Sequence, residues 1–221
     1  MTSQEAVAHY AELLANNGYI AYTFDFNGRC SGCFTDEHAT VEMSVLTEVD
    51  DLITFVNYIK TLPYVKNDQM LLMGRSQGAL VVALAATQMD SIVSKIVLFC
   101  PAFCIPDEVR AGRILKARFD AKNIPENISV GSFKIGSRYV TDIINMDPYK
   151  EIELYKGEAL IVHGSDDKIV DISYAQKAYN TYKNNSKDRK VEFYVIENAG
   201  HRFTNNEDAI AMIYVKKFIN E

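Results

Sequence analysis

The sequence predicts an α/β fold, a mostly parallel sheet with helices on both faces, from three observations. Near-continuous apolar runs at residues 69–73, 96–99, 159–162 and 191–196 alternate with segments of helical periodicity. Strands apolar on both faces are strands covered on both faces, as in parallel sheets. The chain of 221 residues, 48% hydrophobic and 24% charged, is long enough to bury one substantial core, so a single domain over residues 1–221 is expected. Finally, Gly74-Arg-Ser-Gln-Gly78 joins the apolar run 69–73 directly to the helix-forming run 79–86, a strand, a sharp turn and a helix in immediate succession.

The elements follow in order. Residues 6–16 place Val7, Tyr10, Leu13 and Leu14 at helical spacing and stop at Asn17-Gly18. Residues 19–24, Tyr-Ile-Ala-Tyr-Thr-Phe, are β-rich and predict a buried strand leading into a loop through Gly28 and Cys33. Val45, Val49, Leu52, Val56 and Ile59 mark a second helix over residues 44–61, closed by Pro63. The turn at Ser76 and its helix come next, then a strand ending at Pro101. The strands at 159–162 and 191–196 are each followed by a helix, 172–184 and 206–220. Between residues 102 and 148 this rhythm breaks, with Pro106, Gly112, Pro125, Gly131 and Gly136 interrupting it. So long a departure is usually functional, and an inserted lid is expected there, with a short strand at Phe133–Ile135 and a short helix over 139–146.

Charge excludes one class of partner. With a net charge of −6 and 23 Lys and Arg scattered along the chain, there is no basic run to track a phosphate backbone. Nothing approaches the ~18 consecutive apolar residues of a membrane span, and the opening Met1-Thr-Ser-Gln-Glu5 lacks the marks of a signal peptide. A cytoplasmic protein with no nucleic-acid or membrane partner is expected; a homo-oligomer stays open. The cysteines, Cys30, Cys33, Cys100 and Cys104, form two close pairs, but the second pair closes an apolar strand, a poor setting for a zinc knuckle. Reduced thiols and no metal are the expectation.

Ser76 in its turn is a candidate nucleophile, with the Gln77 amide and a helix start behind it to hold an oxyanion. A serine hydroxyl needs an imidazole to take its proton and a carboxylate to orient that imidazole. Both are supplied downstream at strand ends, by His163-Gly-Ser-Asp-Asp-Lys-Ile-Val170 and Asn198-Ala-Gly-His201-Arg-Phe203. The candidates are Asp167, with Asp166 as the alternative, and His201. His163 is expected to hydrogen-bond near its own turn, and His9 and His38 to lie at the surface.

These pieces, together with Phe24-Asp-Phe-Asn-Gly28, resemble the α/β-hydrolases, and most of all their cinnamoyl and feruloyl esterase branch, over almost the whole chain. The resemblance implies an α/β-hydrolase fold and a serine carboxylesterase with Ser76 as nucleophile, His201 as base and Asp167 as its carboxylate. It implies a small-molecule ester as substrate, hydroxycinnamoyl esters included, and no cofactor. Phe103, Phe119, Phe133 and Tyr139 are candidates for an aromatic pocket, with Phe133 and Tyr139 carried forward as substrate-binding. A peptidase or thioesterase on the same fold and a non-catalytic binding module are the alternatives. The resemblance also implies, ahead of the first helix, three strands and a His-Gly-type loop giving a second oxyanion donor, the third strand lying in the sheet between residues 19–24 and 69–73. Because the chain opens at the helix that follows them, an N-terminally truncated fold is expected, and the strand before Ser76 then has an unpaired edge. The loop Gly28-Arg-Cys-Ser-Gly-Cys33 is shorter than its counterpart in the family.

Overall fold

The structure, a computed structural model, describes residues 7–27, 40–66, 69–185 and 189–220. The expectations for Cys30, Cys33, His38, the loop from Gly28 to Cys33 and the first five residues lie outside the described residues. Helix α1 is Ala8–Ala15, stopped at Gly18, whose φ of +87° no β-carbon tolerates well. Helix α2, Val45–Ile59, starts at Ser44, whose hydroxyl accepts from the Thr47 N–H while the Thr47 hydroxyl accepts from the Ser44 N–H. Its buried stripe is Val45, Val49, Leu52, Val56 and Ile59, with Glu48 buried in the same stripe.

Strand β1 (Met70–Arg75), helix α3 (Gln77–Gln88) and strand β2 (Val93–Phe99) follow, the β1–β2 register shifting once, between Met70 and Leu71. Helix α4 (Ile105–Arg110) leads into two small hairpins, β3 (Arg113–Ile114) with β4 (Ala117–Arg118) and β5 (Asn127–Val130) with β6 (Phe133–Gly136). Two short helices, α5 (Arg138–Thr141) and α6 (Pro148–Ile152), return the chain to β7 (Glu158–Gly164). Helix α7 (Ile172–Asn185), strand β8 (Val191–Ile196) and helix α8 (Asn205–Asn220) complete it. The expected short strand at Phe133 is thus half of a hairpin, and the helix expected over 139–146 spans only Arg138–Thr141.

The four long strands form one parallel sheet in the order β1-β2-β7-β8. Alternation along each strand divides the core in two. Ile96, Leu98, Ala159 and Ile161 pack with α2, α3 and α7, whereas Val97, Phe99, Leu160 and Val162 pack with α1 and α8. Helices therefore cover both faces. The register aligns Arg75 with Phe99, Phe99 with Val162 and Gly164 with Ile196, so the loops leaving these strands emerge along one edge.

One expected strand does not form. Among the described residues, 19–26 have no ladder partner, and a strand exists only where a neighbour pairs with it; these residues and β1 line the same cavity. Among the described residues β1 pairs with β2 alone, and all six of its residues are half-buried. Tyr22 packs edge-on against Phe55, Phe24 stacks on Phe55 at 4.4 Å, and the Asn27 N–H donates to Asp51 Oδ2 at 2.9 Å, so aromatic contacts and a hydrogen bond hold this segment to α2. No helix among the described residues is long and apolar enough to cross a membrane.

Candidate active site

Ser76 stands between β1 and α3 with φ 56° and ψ −124°, in the left-handed region that a side chain rarely enters. The turn is kept there by its surroundings: the Ser76 N–H donates to Phe99 O (2.8 Å), and the Ser76 carbonyl accepts from the Ala102 N–H (3.1 Å). A β-carbon on Gly74 would meet the Gly78 carbonyl oxygen at 2.3 Å, so strand and helix approach closely only because residue 74 is glycine. The motif suggests that both flanking glycines are required. At Gly78, however, a β-carbon would meet nothing within 4 Å, since that position opens away from the turn. Cys100 and Asn198 also have positive φ, 44° and 61°, just past the ends of β2 and β8. Strain is thus concentrated on the edge where the strand ends converge.

His201 comes from the loop after β8. Its Nδ1 lies 2.7 Å from Asp167 Oδ2 and its Nε2 lies 2.9 Å from Ser76 Oγ. Asp167 is ionised and can only accept, so the imidazole proton sits on Nδ1 and Nε2 accepts from the serine hydroxyl. The Asp167 side chain is fully buried, which alone would raise its pKa. Hydrogen bonds from His163, from His201 and from the Val170 and Ile169 N–H groups outweigh that cost and hold the carboxyl far below the usual range. Asp166 points away into solvent and pairs with Lys168.

His163 is fully buried, with Nε2 3.0 Å from the Val170 carbonyl and 3.3 Å from Asp167 Oδ2. It stays near its own turn and also props the carboxylate. His9 is exposed on α1, 3.6 Å from Asp208. Cys100, His163 and Asp167 bring donor atoms within 4.8 Å of one another, a grouping that the pairing of Cys100 with Cys104 in the sequence does not suggest. Burial pushes the Cys100 thiol up to about 12, and Asp167 is already committed to its hydrogen bonds. Such a set is built to hold a carboxylate rather than to receive a cation.

The Gln77 N–H is at the first position of α3, among those a helix leaves without an internal partner. The Gln77 side chain is gripped at both ends: Nε2 donates to Glu48 Oε2 (2.8 Å) and Oε1 accepts from the Tyr139 hydroxyl (2.7 Å). Glu48 has no counterpart among the expected site residues. Its signal was a charge on the apolar stripe of α2, in step with Val45, Val49 and Leu52. Arg75 is also an addition, and its Nη2 donates to the His201 carbonyl at 2.8 Å.

A cavity of about 1070 Å³ opens beside Ser76 and His201. Phe133, Ile135 and Tyr139 line one part of it, and β1 with residues 18–26 lines another. Tyr139 is only 5% exposed, and its hydroxyl is engaged by Gln77. Phe103 and Phe119 do not line this space; Phe103 is core, stacked on Tyr149 at 5.4 Å.

No curated protein matches the chain by sequence. Among solved structures, Est1E from Butyrivibrio proteoclasticus with ferulic acid bound is similar at 25% identity, with a TM-score of 0.80 over 98% of this chain and 82% of that one. The metagenome-derived lipolytic enzymes LipS and LipT share the fold at 16% identity, with a TM-score of 0.71 over 100% of this chain and 91% of that one. The family described as serine aminopeptidase, S33 (Hydrolase_4), matches residues 2–143. With the parallel sheet, the turn at Ser76 and a family match over more than half of its length, this chain belongs to the serine aminopeptidase S33 family of α/β-hydrolases.

Proposed function

We propose that the protein is a serine carboxylesterase that cleaves carboxylic esters through an acyl-enzyme on Ser76. The observation that carries this reading is the continuous hydrogen-bonded chain from Ser76 through His201 to Asp167, at 2.9 and 2.7 Å. As Ser76 Oγ attacks the ester carbonyl, its proton passes to His201 Nε2, and the imidazolium so formed is stabilised by the ionised Asp167. The carbonyl oxygen becomes an oxyanion, which the Gln77 N–H and the start of α3 stabilise. Collapse expels the alkoxide, which takes the proton from His201. Water then repeats the sequence and releases the acid.

The substrate proposed is a small-molecule ester whose acyl group enters the space beside Phe133 and Tyr139, with a hydroxycinnamoyl ester as the preferred case. Two observations support that preference: the apolar wall given by Phe133 and Ile135, and the ferulic acid bound by the similar Est1E. Methyl hydroxycinnamates are expected to exceed butyrate esters in kcat/KM. A reversed order would leave general esterase activity without that preference. Ser76→Ala is expected to abolish turnover of p-nitrophenyl esters with the fold intact, and undiminished turnover would refute the mechanism. The description of the matched family favours a second reading, peptidase activity on the same site. Peptide, thioester and oxyester substrates assayed side by side separate the two.

A further inference from the structure

Arg75 is the last residue of β1, directly before the strained Ser76. Alternation along β1 sends it to the face covered by α1 and α8, together with Leu71 and Met73. From there its guanidinium reaches the loop that carries His201. Nη2 donates to the His201 main-chain carbonyl (2.8 Å), and the guanidinium carbon lies 5.0 Å from the centre of the Phe203 ring. The other nitrogen, Nη1, donates to the Tyr10 hydroxyl at 3.5 Å and lies 3.9 Å from Asp208 Oδ1. Tyr10 itself donates to Asp208, and its pKa is raised by burial and by that carboxylate, so it remains a donor. Arg75 is therefore braced from behind by α1 and α8 while its free edge grips the histidine loop.

That loop is tied to its neighbours unequally. Toward β7 it is fastened by the Asp166 N–H to Ala199 O (2.9 Å), by the Asn198 N–H to Ser165 Oγ (2.7 Å) and by Asp167 itself. Toward β1 the described residues give it Ser76, the reacting group, and Arg75. A guanidinium suits this task because its planar fork serves a carbonyl and a carboxylate at once, which a single ammonium does not.

We propose that Arg75 is a positioning residue for the reaction at Ser76: by holding the His201 carbonyl it sets the reach of the imidazole to the serine hydroxyl. The proposal rests on the reading of His201 as the base for Ser76. Misplacing a reacting group by about 1 Å can cost on the order of 10²-fold in rate, whereas substrate binding need not change.

The test uses Arg75→Ala, Arg75→Lys and Ser76→Ala, each checked for folding by circular dichroism and thermal melting, with a p-nitrophenyl ester as substrate. For Arg75→Ala, kcat is expected to fall on the order of 10²-fold while KM stays within about twofold. Arg75→Lys should recover part of that loss. Millimolar methylguanidinium added to folded Arg75→Ala should raise its kcat several-fold by refilling the vacated site, and should leave wild type and Ser76→Ala unchanged. Folded Arg75→Ala with wild-type kcat would overturn the proposal, as would a loss that neither lysine nor methylguanidinium relieves. If Ser76→Ala keeps its turnover, it is the underlying reading of Ser76 and His201 that fails.

Discussion

Two adjacent carboxylates, Asp166 and Asp167, have opposite environments. Asp167 has its side chain fully buried and accepts from two imidazoles and two main-chain N–H groups; Asp166 sits in solvent beside Lys168. Asp167→Asn is therefore expected to lower kcat on the order of 10⁴-fold by holding the imidazole in the wrong tautomer, whereas Asp166→Asn stays near wild type. Similar kcat values for the two variants would contradict the assignment. The folded pKa of Asp167 lies below its unfolded value of about 3.9, so its contribution to stability is complete above that pH and is lost as the pH falls through it. Melting temperature should accordingly decline more steeply for wild type than for Asp167→Asn between about pH 5 and pH 2. Parallel declines would refute that account. Ser76, Asp167 and His201 were legible in the sequence because each closely follows an apolar run in a short turn rich in small residues. Glu48 and Arg75 were not, because their roles depend on side chains that other segments bring to them.

At the scale of elements, the turn at Ser76 depends on one glycine more than the other. A β-carbon at Gly74 collides with the backbone of Gly78 and Ala79, at 2.3 Å from the nearest atom, so Gly74→Ala must push α3 away from β1. Gly78→Ala meets open space inside a helix and removes backbone freedom from the unfolded chain, a gain of up to about 1 kcal/mol. Thermal melting should show Gly74→Ala lowered and Gly78→Ala unchanged or raised; the reverse order would contradict the packing account. The long strands and helices could be read from periodicity to within a few residues. The tiny hairpins of residues 113–136 could not, since two to four residues carry too little pattern to distinguish a strand from a loop. Residues 19–24 have the composition of a strand yet join no ladder among the described residues, because composition reports preference and pairing requires a neighbour.

Over the whole molecule, the sheet register determines the chemistry. Strands β1 and β2 end level, and β7 and β8 end level two residues further on, so residues 76, 167 and 201, far apart in sequence, meet at one edge. Among the described residues β1 pairs with β2 alone and also lines the cavity, while Arg75 at its end is braced to α1 and α8. Fold class was legible because alternation of apolar strands with helices allows few topologies. The cavity along β1 was legible only as an expected gap, since its walls come from segments that no local pattern joins. The central claim is that this edge activates one serine. Intact mass measured after exposure to a fluorophosphonate tests it most directly. The account predicts a single adduct, mapped to Ser76, absent from Ser76→Ala and slowed in His201→Gln; an unmodified wild-type protein, or an adduct equally present in Ser76→Ala, would contradict it.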